Sequence, residues 1–242
     1  MNFPSDHYWH HGEYDFEWCY FWGKLENGKV FHFTEHFTKL GGLYNFTTRY
    51  AFDGKFIDEV DSWKEEKIST SGYAFGKFTF STPTLGCIFE AKCKPIIHPT
   101  KIERRNYYSI PRLEGSGHFN GEKINATAWF DHEFSDFKKV PNWDWVSVKL
   151  DCGMDIMAFQ CDIEPLCDIT FGDKMMVSNF ILEGKHFFIH SLGMYLILEP
   201  VEDEVVFKPR LGVEYSEQPF NVISKGGKIG NGMRERTYME VT

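Results

Sequence analysis

No apolar run in the 242-residue chain approaches the ~20 residues that a helix needs to span a bilayer. A transmembrane segment is therefore not expected. The opening Met1-Asn2-Phe3-Pro4-Ser5-Asp6 has neither the basic nor the apolar stretch of an export signal, so the expected setting is the cytoplasm. A basic excess is lacking too: 26 Lys and Arg face 35 Asp and Glu, a net charge of −9. Nucleic-acid binding needs clustered cations to neutralise phosphates. Only Arg104-Arg105 and Lys138-Lys139 are adjacent; these read as solvated loop surface, and nucleic acid is set aside as a partner. The six cysteines (Cys19, Cys87, Cys93, Cys152, Cys161 and Cys167) include no C-x-x-C pair and no regular spacing. They fit reduced thiols rather than a disulfide framework.

A sustained helical period is also missing. The best candidate, Asp61 to Lys67, covers about two turns and is mostly polar, which suits a loop or short lid. No Gly-rich loop follows a strand and opens a helix, because Gly226-Gly227 and Gly230-x-Gly232 lie near the final strand. Ser147 in WVSVK lacks the G-x-S-x-G turn of an exposed nucleophile.

Aromatic residues are what the chain has in excess: 17%, with Phe at 24 copies. Such side chains favour strands, and they can line a cavity as well as fill a core. Short β-prone runs alternate with turn signals along the sequence. Trp18 to Trp22 leads through Glu26-Asn27-Gly28-Lys29 into Val30 to Thr34, and Asn-Gly between such runs marks a hairpin. Asp53-Gly54, Asn120-Gly121 and Glu183-Gly184 punctuate later segments. Trp145 to Leu150 turns at Asp151-Cys152-Gly153 and returns as Met154 to Gln160. Further strands are expected over Phe187–Ile189, Tyr195–Leu198, Val205–Phe207 and Arg236–Val241. Pro111, Gly115, Gly117 and Gly121 cluster where a domain boundary is expected, giving domains 1–112 and 113–242. Each is of a size to close a barrel of about eight strands, which would remove exposed edges.

The segment Tyr107 to Gln160 carries a resemblance. Its Tyr-Tyr-Ser and Gly-rich approach, A-W-F-D-H-E at 128–133, N-W-D-W at 142–145, alternating strand, D-x-G turn and Met-containing return strand are co-linear. This pattern resembles the carotenoid 1,2-hydratase (hydroxyneurosporene synthase) and AttH-like family of tandem lipocalin-like proteins. Glu17-Trp18-Cys19-Tyr20 and the closing Gly230-Asn231-Gly232 with Thr237 to Thr242 frame it more weakly. The resemblance implies an all-β fold of two lipocalin-like antiparallel β-barrel domains packed side by side. It also implies hydration, cyclisation or cycloaddition of apolar substrates, with no cofactor. This chain departs from the pattern at Cys19, at Phe134-Ser135 in place of Trp-Gly, and in the stretch IHSLGMYLILEP at 189–200. A Trp-Glu expected near Phe220 to Gly226 is missing. These departures leave substrate and activity open.

Protonating a carbon–carbon double bond needs a strong local acid away from bulk water. A buried carboxyl can serve, since desolvation keeps it neutral near pH 7, while indole and phenol faces stabilise the cation. Asp131 is the expected general acid, with His132 as a second catalytic candidate that could orient a partner or shuttle a proton. In an alternating strand Trp129, Asp131 and Glu133 share one face, and Phe130 and His132 the other. Glu17, Trp18, Tyr20, Tyr107, Tyr108, Trp129, Trp143 and Trp145 are the candidate substrate-binding residues. The alternative role for Asp131 and His132 is structural: buried hydrogen bonds tying the strand to its neighbours. Trp143 and Trp145 could equally plug a barrel end, with Asp144 as a strand-start cap or surface group. His7, His10, His11 and Glu13 invite a metal reading, but their stretch reads as a flexible lead-in and no metal site is expected. Three functions stay open: a hydratase or cyclase for an isoprenoid or polyene, a non-catalytic carrier of an apolar ligand, and a pericyclase that works by folding its substrate.

Overall fold

The computed structural model describes residues 14–40, 43–62, 70–74, 77–82, 84–100, 104–136, 142–161, 165–172, 174–210 and 213–239. The chain divides into two compact units, the first comprising residues 1–53 and 57–138, the second 54–56 and 139–242. In the first, the strands are β1 (Phe16–Leu25), β2 (Val30–Leu40), β3 (Leu43–Phe52), β4 (Lys55–Ser62) and β5 (Thr70–Ala74), then β6 (Lys77–Ser81), β7 (Leu85–Ala91), β8 (Ile96–Ile97), β9 (Asn106–Phe119) and β10 (Glu122–Ser135). They form one sheet in the order β4-β3-β2-β1-β10-β9-β7-β6-β5, with β8 pairing β9 beside that path.

The second unit has β11 (Trp143–Leu150), β12 (Met154–Cys161), β13 (Leu166–Phe171), β14 (Lys174–Val177) and β15 (Phe180–Glu183), then β16 (His186–Ile189), β17 (Met194–Pro200), β18 (Val205–Arg210), β19 (Val213–Ser224) and β20 (Gly227–Met239). Its order is β14-β13-β12-β11-β20-β19-β17-β16-β15, with β18 on β19. Each strand thus occupies the place of the one numbered ten lower. The fold is a tandem of two curled, lipocalin-like antiparallel sheets, each of ten strands among the described residues rather than about eight.

Turn chemistry fixes the registers. Asp53-Gly54 and Asn120-Gly121 both adopt positive φ (54° and 70°; 50° and 85°), the two-residue turn whose twist matches the flanking strands. Alternation then sends one face of each strand into a core. The first core is phenylalanine-rich: Phe21, Phe31, Phe33, Phe78, Phe80, Phe89 and Phe130 are buried together, with Phe31 stacked on Phe80 at 5.1 Å and Phe21 tilted against Phe130 at 4.6 Å. Burying each such ring contributes about 1.5–3 kcal/mol. The second core is largely aliphatic, built on Val146, Val148, Ile156, Ile169, Leu196 and Val222.

Three expectations are corrected. The boundary at 112/113 falls inside β9, and the chain leaves the first sheet only after β10. Two of the glycines expected to mark the boundary, Gly115 and Gly117, mark close strand approach instead. A Cβ on Gly117 would lie 1.7 Å from the Gly86 carbonyl oxygen, and one on Gly115 would lie 2.1 Å from that of Ile88. Pro111 sits at a bulge, where pairing steps from Ile110–Phe130 to Leu113–Ala128. There its missing N–H is tolerated. Asp61 and Ser62 finish strand β4 rather than opening a helix; residues 63–67 of that candidate lie outside the described residues, as do His7, His10, His11 and Glu13. The third correction concerns Arg105, read as solvated surface. It is buried, and its guanidinium binds Glu133 through two hydrogen bonds of 2.8 and 3.2 Å.

Candidate functional site

Strand β10 lies between β1 and β9, and its alternation distributes the candidate residues over two buried faces. On the face opposite the phenylalanine core, Asp131 pairs in register with Tyr20 on one side and Ser109 on the other. One step along, Trp22 pairs Trp129; one step back, Trp18 pairs Glu133 and Glu133 pairs Tyr107. Trp18, Tyr20, Tyr107 and Trp129 are therefore brought onto the face of Asp131, and all are buried. Trp18 is stacked at 5.3 Å on His36 of β2.

Three donors reach the Asp131 carboxyl. The Trp129 indole N–H gives to Oδ2 at 2.8 Å, the Tyr107 hydroxyl to Oδ1 at 3.3 Å, and the Ser109 hydroxyl to the same Oδ1. Burial pushes the Asp131 carboxyl up to about 7, opposed by its Ser109, Trp129 and Tyr107 hydrogen bonds and reinforced by the nearby Glu133 charge. Desolvation wins because the charged form loses more hydration than three hydrogen bonds restore. Behind Ser109, His98 Nε2 lies 2.7 Å from the serine Oγ, and the His98 ring packs 4.4 Å from that of Tyr107. The Arg105 guanidinium lies 5.5 Å over the Tyr107 ring.

The other face of β10 turns inward with the first core. His132 Nε2 lies 2.7 Å from Glu17 Oε1, and His132 Nδ1 lies 2.8 Å from the Tyr108 hydroxyl. A neutral imidazole donates at one nitrogen and accepts at the other, so it satisfies both partners. Glu17, Tyr108 and His132 thus form a clamp across β1, β9 and β10, packed against Phe130 and Phe134. The two catalytic candidates, Asp131 and His132, stand back to back on one strand and belong to different networks.

Trp143 and Trp145 belong to the second sheet, on the face opposite its core, with Trp145 buried and paired in register with Glu235. Asp144 is neither cap nor free surface group. It turns to the core side and binds Arg234, Nε to Oδ1 at 2.7 Å and Nη2 to Oδ2. None of the six cysteines is in a disulfide. Among the described residues no three His, Cys, Asp or Glu side chains gather to hold a metal, and no helix is long and apolar enough to cross a membrane.

Sequence reasoning missed Ser109, His98, Trp22 and the Arg105–Glu133 pair. Ser109 had a signal: alternation from Tyr107 puts it on the Tyr107 face. His98 had none, since it reaches the site from beyond β8 through sheet pairing.

Two tandem, curled, lipocalin-like antiparallel sheets define the class of fold this chain represents. Solved structures share this fold. A protein designated AttH from Nitrosomonas europaea superposes with a TM-score of 0.74 at 19% identity, over 99% of this chain and 97% of the other. A kievitone hydratase from Nectria haematococca gives a TM-score of 0.65 at 14% identity, over 93% and 89%. At these identities the likeness is one of fold. No protein-family model matches the sequence, and no curated protein matches it significantly.

Proposed function

We propose that this protein is a cofactor-independent hydratase or cyclase in which Asp131 protonates a double bond of an apolar, isoprenoid- or polyene-type molecule. The observation that carries the reading is the Asp131 carboxyl itself, buried, held by three donors and pushed up to about 7. An acid in that range keeps a large share of its proton near neutral pH and still releases it readily. Tyr20, Trp18 and Trp22 share its face, and an aromatic face stabilises a neighbouring cation by about 2 kcal/mol or more when desolvated. Proton transfer to one alkene carbon leaves the positive charge on the other. Addition of water there, with loss of its second proton, yields an alcohol; attack by an internal double bond yields a ring. The fold shared with a kievitone hydratase supports the hydratase form.

A second reading, a carrier without chemistry, is favoured by one feature: both Asp131 oxygens are occupied by donors, as in a purely structural acid. Incubating the purified chain with a panel of prenylated phenols and acyclic polyenes in ¹⁸O-labelled water separates the two. The enzyme reading expects a product heavier by one labelled water, or an isomer of unchanged mass. It expects Asp131→Asn to lower the rate by about 10²–10⁴-fold with binding retained. Turnover surviving that substitution overturns the role of Asp131, and binding without turnover in the unaltered protein establishes the carrier.

A further inference from the structure

Strand β2 brings an imidazole to the face of Asp131. Alternation sends Phe31 and Phe33 of β2 into the phenylalanine core, and Thr34 and His36 to the opposite side. Trp18 of β1 pairs in register with both His36 and Glu133, and Tyr20 with both Thr34 and Asp131. His36 therefore lies two strands across and two residues along from Asp131, with the Cα atoms about 12 Å apart. Its ring is stacked on those of Trp18, at 5.3 Å and 12°, and Phe16, at 6.5 Å and 25°, which fixes its pose. We propose that His36 Nδ1 is a ligand-binding atom of the Asp131 face, accepting a hydrogen bond from a hydroxyl group of the bound molecule. This rests on the reading of that face as the ligand site.

The atom is buried and, among the described residues, has no hydrogen-bond partner. Its neighbours along the row are committed elsewhere. The Thr47 hydroxyl, opposite on β3, donates to Asn45 Oδ1 at 3.3 Å, and the Glu133 carboxylate holds Arg105. A buried polar atom left unmet is costly, and a ligand that meets it removes that cost. Burial and the nearby Arg49 charge hold the imidazole well below the usual histidine range, so near pH 7 it is neutral, with one N–H and one lone pair. As with backbone groups, a buried donor without a partner is rarer than a buried acceptor, which assigns the lone pair to Nδ1. The matching ligand group must therefore donate. An ammonium donates too, but the Arg49 charge that disfavours the imidazolium also disfavours a second cation there. A neutral hydroxyl, of an alcohol or a phenol, meets the requirement. The two ends of the face also differ in exposure: His36 is half-buried, whereas Asp131 is buried. An apolar molecule with a hydroxyl at one end is thereby oriented, hydroxyl outward at His36 and double bond inward at Asp131. His36 is a specificity-determining residue, selecting alcohols over hydrocarbons and ethers of the same skeleton.

Geraniol and its methyl ether share a skeleton, but only the alcohol can donate, so the pair tests the assignment. Isothermal titration calorimetry measures the binding of each to the full chain, unaltered and as His36→Phe and His36→Asn. The unaltered protein is expected to favour geraniol by about tenfold. His36→Phe, which keeps a stacking ring, is expected to lose that preference while binding the ether within about twofold of the unaltered protein. His36→Asn, whose side-chain oxygen can take the place of Nδ1, is expected to keep it. In ¹⁵N NMR of the histidine-labelled chain, the Nδ1 resonance of His36, identified by its loss in His36→Asn, should shift with geraniol and stay with the ether. That measurement decides the question if His36→Phe does not fold. Equal affinities in the unaltered protein, a preference that survives in His36→Phe, or an unmoved resonance overturns the assignment. Binding of neither probe overturns it together with the reading of this face as a site for apolar molecules. Failure of Asp131 as the acid shows separately, as absence of turnover in the labelled-water assay with the preference for the alcohol intact.

Discussion

The substitution Asp131→Asn carries a quantitative signature in stability as well as in rate. In the folded chain burial pushes Asp131 from 3.8 up to about 7; unfolded, it returns to the ordinary carboxylate range. Between those values the folded state holds a proton that the unfolded state has lost. Stability contributed by this group is therefore full below about pH 4 and falls as pH rises toward 7, by about 1.4 kcal/mol per pH unit. Asparagine does not titrate. It brings a constant cost of about 1–3 kcal/mol, because its amide N–H group replaces the acceptor of the Trp129 indole. The difference between variant and parent should then move by about 3 kcal/mol in favour of asparagine from pH 5 to pH 8, since other titrations cancel. Urea unfolding at both pH values, followed by tryptophan fluorescence, measures it. A difference that stays constant within about 0.5 kcal/mol would mean that Asp131 ionises as a solvated carboxylate, and the argument for a neutral acid would collapse.

Two further outcomes are expected. His32, buried on β2, is lowered to about 3 by desolvation, so its contribution is full above 6.5 and lost as pH falls toward 3. His32→Gln should remove this penalty and narrow or reverse its own stability deficit by about 2 kcal/mol between pH 6.5 and 5; an unchanged deficit counts against a neutral His32. Gly117→Ala should cost more than about 4 kcal/mol, because its Cβ meets the Gly86 carbonyl. At Gly121, where φ is +85° and nothing lies within 4 Å, alanine should cost about 1 kcal/mol. Equal melting temperatures for the two variants would contradict the close β7–β9 approach.

The fold was largely legible because hairpin turns and alternation are local. Asn120-Gly121 and the period-two pattern of Trp129, Asp131 and Glu133 appear in the structure as expected, since a strand's faces follow from its backbone. The domain boundary was not legible. A glycine that lets two strands approach and a glycine in a linker look alike without the partner strand, and only β7 distinguishes them. Arg105 failed for the same reason: its partner Glu133 lies across a β9–β10 pairing that adjacent basic residues do not reveal. Asp144 was misassigned because its partner Arg234 comes from the far end of the second unit. Within the site, Tyr107 and Tyr108 were both named, but their division between the Asp131 and His132 networks needed the register of β9 against β10.

That register makes the acid a portable object. Tyr107, Ser109, Trp129 and Asp131, with the Arg105–Glu133 ion pair, all come from β9, β10 and the residue before them, joined by the Asn120-Gly121 turn. One hairpin of neighbouring chain therefore encodes the buried carboxyl together with the three groups that donate to it. Lineages of this fold could exchange, lengthen or lose strands elsewhere and still inherit the acid intact. A protein engineer could transplant it as a single cassette into another curled antiparallel sheet.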